Sequence, residues 1–191
     1  ISVEALTKVD GGYQMKLNST VPVIFTIGDS TTGTNVQPNT GGTVFTDVKA
    51  GDYFEIPVKW AVEKKITTGT TSNTFSPEQT CTRAQILTFL WRAIGSPKAS
   101  AENPFSDISA DDYYFDAAIW AYNKGMVSGN SFEGDTPCTR ASTVEYLWKN
   151  ANSPQNTASN SFEDVSANSD YAQAVSWAVE NGVTTGTSNT T

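Results

Sequence analysis

The stretch FTDVKAGDYFEIPVKWAVEKKITTGTTSNTFSPEQTCTRAQILTFLWRAI, residues 45–94, decides the fold because its parts recur in the same order along the chain. Its landmarks are a Phe-x-Asp opening, a Trp-Ala pair, a glycine and a Thr-Arg-Ala segment that leads an apolar run. The opening, the Trp-Ala pair and the glycine occur three times, and the Thr-Arg-Ala segment occurs twice. Trp60, Trp120 and Trp177 are 60 and 57 residues apart. A register this long does not arise by chance, so the sequence predicts tandem repeats.

The composition excludes several classes of function. The 191 residues are 38% hydrophobic, enough to build a core, but no apolar run approaches the roughly 18 residues that a spanning helix needs. A net charge of −8 with no basic run argues against a nucleic-acid partner. The absence of His removes Ser-His-Asp and Cys-His catalysis and the commonest metal ligand. We therefore expect no metal, no cofactor, no nucleic acid and no membrane insertion.

Residues 1–42 differ from the repeats and are predicted to be a β-rich segment followed by a linker. Apolar residues alternate with others in three short runs, which is the period of a strand. These runs are Ile1–Val3, Tyr13–Leu17 and Val21–Ile27, with a hairpin turn predicted at Asp10-Gly11-Gly12 and a linker at 28–42. Because no signal peptide precedes Ile1, we expect a fragment or a mature piece, and we interpret these strands as the end of an upstream domain or a small docked sheet.

Each repeat is predicted to fold as helix, loop, helix. In the first helix, apolar residues at helical spacing beside the tryptophan form the predicted buried stripe. The stripe comprises Val58, Ala61 and Val62, then Ala118, Ala121 and Tyr122, then Val175, Ala178 and Val179. The residue after this helix is Lys65, Gly125 or Gly182, where a left-handed conformation suits glycine. Lys65 must therefore adopt that conformation with a small penalty, or the cap shifts.

The second helix is predicted to begin at Thr82 in the first copy and at Thr139 in the second. Gln85 lies three residues after Thr82, so the pair predicts a capping box, whereas Ser142 in the second copy predicts a weaker one. The predicted buried face of the first copy's second helix consists of Ile86, Phe89, Leu90, Ala93 and Ile94.

Arg83 and Arg140 lie in the first turn of these second helices, where a cation opposes the helix dipole. One interpretation is that each Arg points to solvent or pairs with a nearby carboxylate. The other is that the guanidinium and the free amides of the helix N-terminus together form an anion site. The spacing alone leaves both interpretations open.

Cys81 and Cys138 occupy the same position in successive repeats, just before Thr-Arg. We expect inert, half-buried thiols at both positions. A disulfide in an oxidising compartment is the alternative, although equivalent positions in separate repeats need not be close together.

Taken as a set, Phe-x-Asp-Val, a Tyr-rich start, Trp-Ala-x-Glu, a glycine, a Thr-rich loop and Thr-Arg-Ala resemble the S-layer homology domain. The resemblance covers residues 45–191 and includes three openings and two complete endings. It implies a mainly α fold of tandem helix-loop-helix repeats in a pseudo-threefold bundle, after the short N-terminal β-rich segment. The repeats would span 43–99, 100–157 and 158–191, with the second helix absent from the third.

The resemblance also implies a function. Family members are non-catalytic anchoring modules whose grooves bind a secondary cell-wall polysaccharide, an anionic polymer that we expect to be pyruvylated. This chain would then be secreted and held at the cell surface, in the wall or S-layer of a Gram-positive-type bacterium. The ligand-binding residues implied are Asp47, Trp60, Arg83, Asp107, Trp120, Arg140, Asp164 and Trp177. The family's Glu after Thr-Arg-Ala is replaced by Gln85 and Ser142, which affects capping more than binding.

Each of these residues also has a structural interpretation, in which the Asp residues hold turns and the Trp residues pack in the core. The alternative function is a structural module whose grooves contact protein, including other copies of the chain, during surface-layer assembly. Glycan binding predicts an Arg and an aromatic together at each groove, whereas a protein interface predicts an apolar patch of several hundred Å². Carboxylates such as Glu63 and Glu180 are not paired as a glycosidase requires, so we expect no enzyme.

Overall fold

The chain is mainly α-helical from Phe45 onward, as predicted. The computed structural model describes residues 45–99, 102–155 and 162–186, together with the backbone of three N-terminal strands. The described residues contain five α-helices, which are α1 Glu55–Glu63, α2 Arg83–Ala93, α3 Phe115–Asn123, α4 Arg140–Asn150 and α5 Ala172–Glu180. Pro57 lies in the first turn of α1, where its missing N–H group costs nothing.

The N-terminal segment, predicted to be β-rich, contains an antiparallel sheet of three strands that are neighbours in chain order. The strands are β1 Val3–Val9, β2 Gly12–Leu17 and β3 Ile24–Ile27. Val9 pairs with Gly12 at one end of the hairpin, and Tyr13 pairs with Ile27 in the second ladder. The predicted turn residues Asp10 and Gly11, and the predicted linker at 28–42, lie outside the described residues.

The chain divides into two compact units. One unit is Gln37–Thr143 and contains α1, α2, α3 and the first residues of α4. The other combines Ile1–Val36 with Val144–Thr191 and contains the strands, the remainder of α4 and α5.

The first helices of the three repeats share one local geometry. Each of α1, α3 and α5 is nine residues long and is followed by a left-handed residue, with φ of 58° at Lys65 and 65° at Gly125 and Gly182. The next amide then donates to the carbonyl five residues back, which is the Schellman pattern. These bonds are Ile66 to Ala61 at 2.8 Å, Met126 to Ala121 at 2.9 Å and Val183 to Ala178 at 2.7 Å. The predicted helix ends, including the strained Lys65, are confirmed.

The predicted stripe of the first helices is partly confirmed. Val58, Ala118 and Val175 are buried, and so are Ala121 and Ala178. The third position of the stripe is wrong in two copies, because Tyr122 and Val179 are exposed. The buried arc is instead shifted by one residue toward the N-terminus and includes Ala117 and Ala174. Small alanines at this position allow close packing.

The second helix α2 has the predicted start but a different buried face. Thr82 Oγ1 accepts the Gln85 amide and Gln85 Oε1 accepts the Thr82 amide, so the capping box is confirmed. The buried residues are Ala84, Leu87 and Thr88, whereas Ala93 and Ile94 of the predicted face are exposed. The predicted face is therefore wrong at Ala93 and Ile94, while Ile86, Phe89 and Leu90 are half-buried. The buried face includes Ala84 because a loop of the next repeat covers this residue. A Cβ added to Gly134 of that loop would lie 3.3 Å from the Ala84 Cβ.

Candidate functional site

The Asp of the opening motif holds the loop that follows the first helix of the same repeat. Asp107 accepts hydrogen bonds from the amides of Phe132 at 2.7 Å and Glu133 at 2.8 Å, and from the Ser131 hydroxyl at 2.8 Å. Hydrogen bonds to a carboxylate favour its charged form. The Phe132 amide, followed by the Glu133 amide, therefore lowers the pKa of Asp107 from 3.8 to about 2.

The same arrangement occurs in the first repeat. Asp47 accepts the amides of Phe75 at 2.9 Å and Ser76 at 2.7 Å, and chiefly the Phe75 hydrogen bond lowers the pKa of Asp47. Both Asp residues thus hold a turn, as the structural interpretation predicted, and each carboxylate binds amides of its own repeat. For Asp164, the loop residues in the same register would follow Gly186, and they lie outside the described residues.

Aromatic packing fixes this loop from the other side. Phe105 is buried, and its ring centroid lies 5.4 Å from that of Phe132. The Tyr114 ring, at the start of α3, stacks on Phe132 at 5.4 Å. In the first repeat, Phe45 and Phe75 make the corresponding contact at 5.7 Å. The Phe and the Asp of the opening motif therefore act together, one packing on the loop and the other binding its amides.

The loop at 131–136, in the second repeat, also closes the N-terminus of α2 in the first repeat. The amide of Arg83 donates to the Thr136 carbonyl and the amide of Ala84 to the Gly134 carbonyl, both at 2.9 Å. The next amide, of Gln85, is bound by Thr82. Since the first three amides of α2 already have partners, the hypothesis that they are free to bind an anion is wrong for this helix. The loop supplies the acceptors that a bound anion would have supplied.

The Arg83 side chain belongs to the same contact. Its Nη1 donates to the Phe132 carbonyl at 2.6 Å and lies 3.6 Å from the Glu133 carboxylate. The side chain remains 25% exposed. Arg83 therefore pairs with a nearby carboxylate, as one of the two interpretations held, and it binds across the junction between two repeats. The backbone of Phe132 is thus held on both sides, its N–H by the Asp107 carboxylate and its carbonyl by the Arg83 guanidinium.

Arg140 has the same position in α4 but a different described environment. It is exposed, and Thr139 Oγ1 accepts the Ser142 amide at 3.1 Å, so the Thr cap of this helix is confirmed. Ser142 Oγ lies 2.9 Å from Thr139 Oγ1, which agrees with the weaker box expected from a short side chain. The loop that corresponds to 131–136 in the third repeat lies outside the described residues.

The three repeat tryptophans differ in exposure. Trp120 is 4% exposed and lies in the core, whereas Trp60 is 39% exposed. Trp177 is half-buried. Of the three, Trp60 therefore offers the largest surface to a sugar ring. Trp120 packs in the core, as the structural interpretation predicted.

Two exposed tyrosines are site candidates that sequence reasoning missed. Tyr53 is 90% exposed and Tyr113 is 60% exposed, and they occupy the same position before α1 and α3. The Tyr113 phenol is hydrogen-bonded to the Thr82 side chain, and the nearby charges that act on it are those of Asp135 and Arg92. Partial burial of that phenol, followed by the Asp135 charge, raises its pKa. The signal available in the sequence was a Tyr repeated at the 60-residue register just before a helix.

Arg83 and Tyr113 thus lie at one junction, since Arg83 follows Thr82 and the Tyr113 phenol interacts with Thr82. We call this set of Thr82, Arg83, Tyr113, Glu133 and Asp135 the junction site. It combines a planar cation with an exposed aromatic, both positioned by the packing of α2 against α3.

Other kinds of site are not found in the described part of the chain. Within it, no group of three or more His, Cys, Asp or Glu side chains could hold a metal ion. None of the described helices is both long and apolar enough to cross a bilayer.

Comparisons with known proteins agree with the repeat pattern. The S-layer homology domain matches three segments of the chain, residues 44–87, 104–143 and 161–191. An endoglucanase of Bacillus sp. (strain KSM-635) is 33% identical over 87 residues, which is 46% of this chain and 9% of that protein. The endo-1,4-beta-xylanase A of Thermoanaerobacterium saccharolyticum is 26% identical over 89 residues, 47% of this chain and 8% of that protein. The match thus spans less than a tenth of either relative. The chain itself, with three matched segments in the register of its tryptophans, belongs to the S-layer homology domain family.

Proposed function

We propose that this chain is a non-catalytic module that anchors a larger secreted protein to the bacterial cell wall by binding an anionic secondary cell-wall polysaccharide. The observation that carries the proposal is the junction site, where Arg83 binds across two repeats at the start of α2 and the exposed Tyr113 phenol interacts with the adjacent Thr82. A cation beside an exposed aromatic suits a sugar that bears an acidic group, because the ring packs on the sugar face and the guanidinium binds the acid. Both relatives carry the matching segment as a small part of a longer protein, as expected of an anchoring module.

The charge of the protein requires such a local site. At a net charge of −8 the chain as a whole repels an anionic polymer, so binding must rely on individual cations. Among the described residues, the Arg83 side chain contacts the Phe132 carbonyl and the Glu133 carboxylate through Nη1. A guanidinium has five N–H donors in all. Arg83 can therefore hold the Phe132 carbonyl and donate to an anion at the same time.

The expected acidic group is a carboxylate, such as that of a pyruvyl substituent. A carboxylate matches the planar fork of a guanidinium and can bind it in a bidentate manner. Glu133 already places one carboxylate 3.6 Å from Nη1, and its side chain is exposed. Glu133 therefore competes with the polymer for Arg83. Arg140, Trp60, Trp177 and Asp164 remain proposed contacts of the other grooves, while Asp47, Asp107 and Trp120 are proposed to shape them.

The test is calorimetric binding of purified wall polysaccharide to Arg83→Ala, Arg140→Ala and the double variant. A charge-assisted contact contributes roughly 1.5–3 kcal/mol, so each single change should weaken its groove about 10- to 150-fold. Arg→Lys should recover part of the loss, because Lys keeps the charge without the fork. Glu133→Gln should strengthen binding, because it removes the competing carboxylate.

A charge-matched control separates local from overall electrostatics. Lys59→Ala removes one exposed positive charge, which is paired with the half-buried Glu55 on α1, and it should leave binding nearly unchanged. Polysaccharide whose acidic groups have been chemically removed should bind the parent protein poorly. If the double Arg variant, shown by circular dichroism to be folded, binds like the parent, the anchoring site lies elsewhere.

A structural module for surface-layer assembly is the second candidate. It is favoured by the exposure of Tyr53 and Ile56, two apolar residues at the start of α1. Self-association through this surface predicts a mass in sedimentation experiments that rises with protein concentration and falls back in Ile56→Glu. A monomer at all concentrations would count against it.

A further inference from the structure

The two cysteines lie on neighbouring antiparallel segments, one in each of the first two repeats. Thr82 and Pro137 form an isolated antiparallel bridge. Two hydrogen bonds flank it, from the Cys138 amide to the Cys81 carbonyl at 2.8 Å and from the Arg83 amide to the Thr136 carbonyl at 2.9 Å. This pattern makes Thr82 and Pro137 a non-hydrogen-bonded pair, and it places Cys81 opposite Cys138 as the next pair along.

Opposed residues of an antiparallel pair have the geometry that a disulfide needs. Cys81 and Cys138 occupy the hydrogen-bonded position next to the Thr82–Pro137 pair, where Cα atoms are about 5.5 Å apart and the side chains lie on the same face. Disulfides occur at Cα separations of about 4.4–6.8 Å. The Cα separation expected for this pair therefore lies within the disulfide range, and a small local adjustment brings the Cβ atoms to the required distance of about 3.5–4.5 Å. Cys138 Sγ now lies 3.5 Å from Thr143 Oγ1, so its approach to Cys81 requires a change of side-chain rotamer.

Both thiols are free, and both are partly accessible. Partial burial raises the pKa of Cys81, and the nearby Cys138 raises it further, which agrees with two thiols close enough to interact electrostatically. An oxidant can therefore reach this pair.

We propose that Cys81 and Cys138 form an intramolecular disulfide in an oxidising environment, and that this bond staples the first repeat to the second at the start of α2. The oxidant is a small-molecule disulfide. One protein thiolate attacks a sulfur of that molecule and releases one thiol, forming a mixed disulfide. The second protein thiolate then attacks the cysteine sulfur of the mixed disulfide and releases the second thiol. The protein loses two electrons and two protons, and the small disulfide gains them.

The bond fixes the segment that organises the junction site. It lies one residue from Thr82, whose hydroxyl caps α2, and two residues from Thr136, whose carbonyl binds the Arg83 amide. It closes a loop of more than fifty residues that contains α2 and α3, and constraints on long loops stabilise a fold most in the chain-entropy account. The proposal does not depend on the identity of the polysaccharide.

The test uses the full 191-residue chain in buffers of oxidised and reduced glutathione. After oxidation we expect no thiol that a maleimide can label under denaturing conditions, a monomeric protein, and a non-reduced peptide that joins Cys81 to Cys138. The melting temperature should rise by about 5 °C or more and should return on reduction. Cys81→Ser with Cys138→Ser is the matched control, and its melting temperature should not respond to the oxidant.

Three results would overturn the proposal. The first is two labelled thiols after treatment with strong oxidant, and the second is covalent dimers without the intramolecular link. The third is a link that forms but leaves the melting temperature unchanged or lower, which would remove the stapling role. Because the wild-type protein supplies all three readouts, the outcome does not depend on how well the double variant folds.

Discussion

Gly69 and Gly129 offer a test of how tightly the loop after the first helix is packed. Both have a left-handed backbone, with φ of 85° and 94°. A Cβ on Gly69 would lie 2.4 Å from the buried Phe45 ring and 2.5 Å from the Thr74 carbonyl oxygen, whereas a Cβ on Gly129 would meet nothing within 4 Å. Alanine at the two positions therefore imposes a similar backbone strain and a different packing penalty.

The magnitudes follow from these distances. A left-handed alanine is disfavoured by about 1–2 kcal/mol, partly offset because alanine restricts the unfolded chain, so Gly129→Ala should lower stability by roughly 1 kcal/mol. Gly69→Ala adds an overpacking term of about 1–3 kcal/mol. Since one of the atoms in its way is a backbone oxygen that accepts the amides of Thr70 and Thr71, the strain cannot be relieved by a side-chain rotation alone.

Urea unfolding followed by tryptophan fluorescence would measure both variants against the parent. If the slope of the unfolding free energy against urea concentration is unchanged, the urea midpoint of Gly69→Ala should fall by clearly more than that of Gly129→Ala. Two variants that lose the same stability, within about 0.5 kcal/mol, would refute the packing argument, because backbone strain alone would then account for both.

Further predictions concern the helix caps and the Asp clamp, by which we mean the Asp107 carboxylate with the Phe132 and Glu133 amides that it binds. Thr82→Ala should lower stability by about 1 kcal/mol, and Thr139→Ala by a similar amount; an unchanged midpoint in thermal melts of Thr82→Ala would contradict the cap assignment. Lys65→Gly should raise stability by up to about 1 kcal/mol because it relieves a left-handed lysine, while Lys64→Gly, at φ −77°, should not stabilise; urea midpoints of the pair decide. The pKa of Asp107 is lowered in the folded state, from 3.8 to about 2, so its contribution is present above about pH 4 and is lost as the pH falls toward 2. Melts of Asp107→Asn should show a smaller loss of stability over that range than the parent, and equal losses would argue against the clamp.

Features that depend on neighbouring residues could be predicted from the sequence. The capping box joins Thr82 to a residue three positions away, and the left-handed conformation of Lys65 follows from the glycines at the same register. The repeat pattern itself predicted the helices and the family, because each repeat encodes the same local geometry.

Features that join one repeat to the next could not be predicted in this way. Nothing in the periodicity of α2 indicates that Gly134 packs on Ala84, about fifty residues away, so the buried face was predicted around Ile86 instead. The same contact occupies the amides that were expected to be free. The proximity of Cys81 and Cys138 depends on it as well, since equal positions in two repeats carry no information about distance.

The contact between the first two repeats is asymmetric, because the loop at 131–136 of the second repeat satisfies the N-terminal amides of α2 in the first. The second repeat supplies the carbonyls of Gly134 and Thr136 to the helix of the first, while its own clamp at Asp107 uses residues of the second repeat alone. In a nearest-neighbour description of repeat stability, loss of this interface has different effects on the two repeats that form it. Deleting the downstream loop would leave the upstream helix with unsatisfied amides, whereas deleting the upstream helix would leave the downstream loop with its Asp clamp intact.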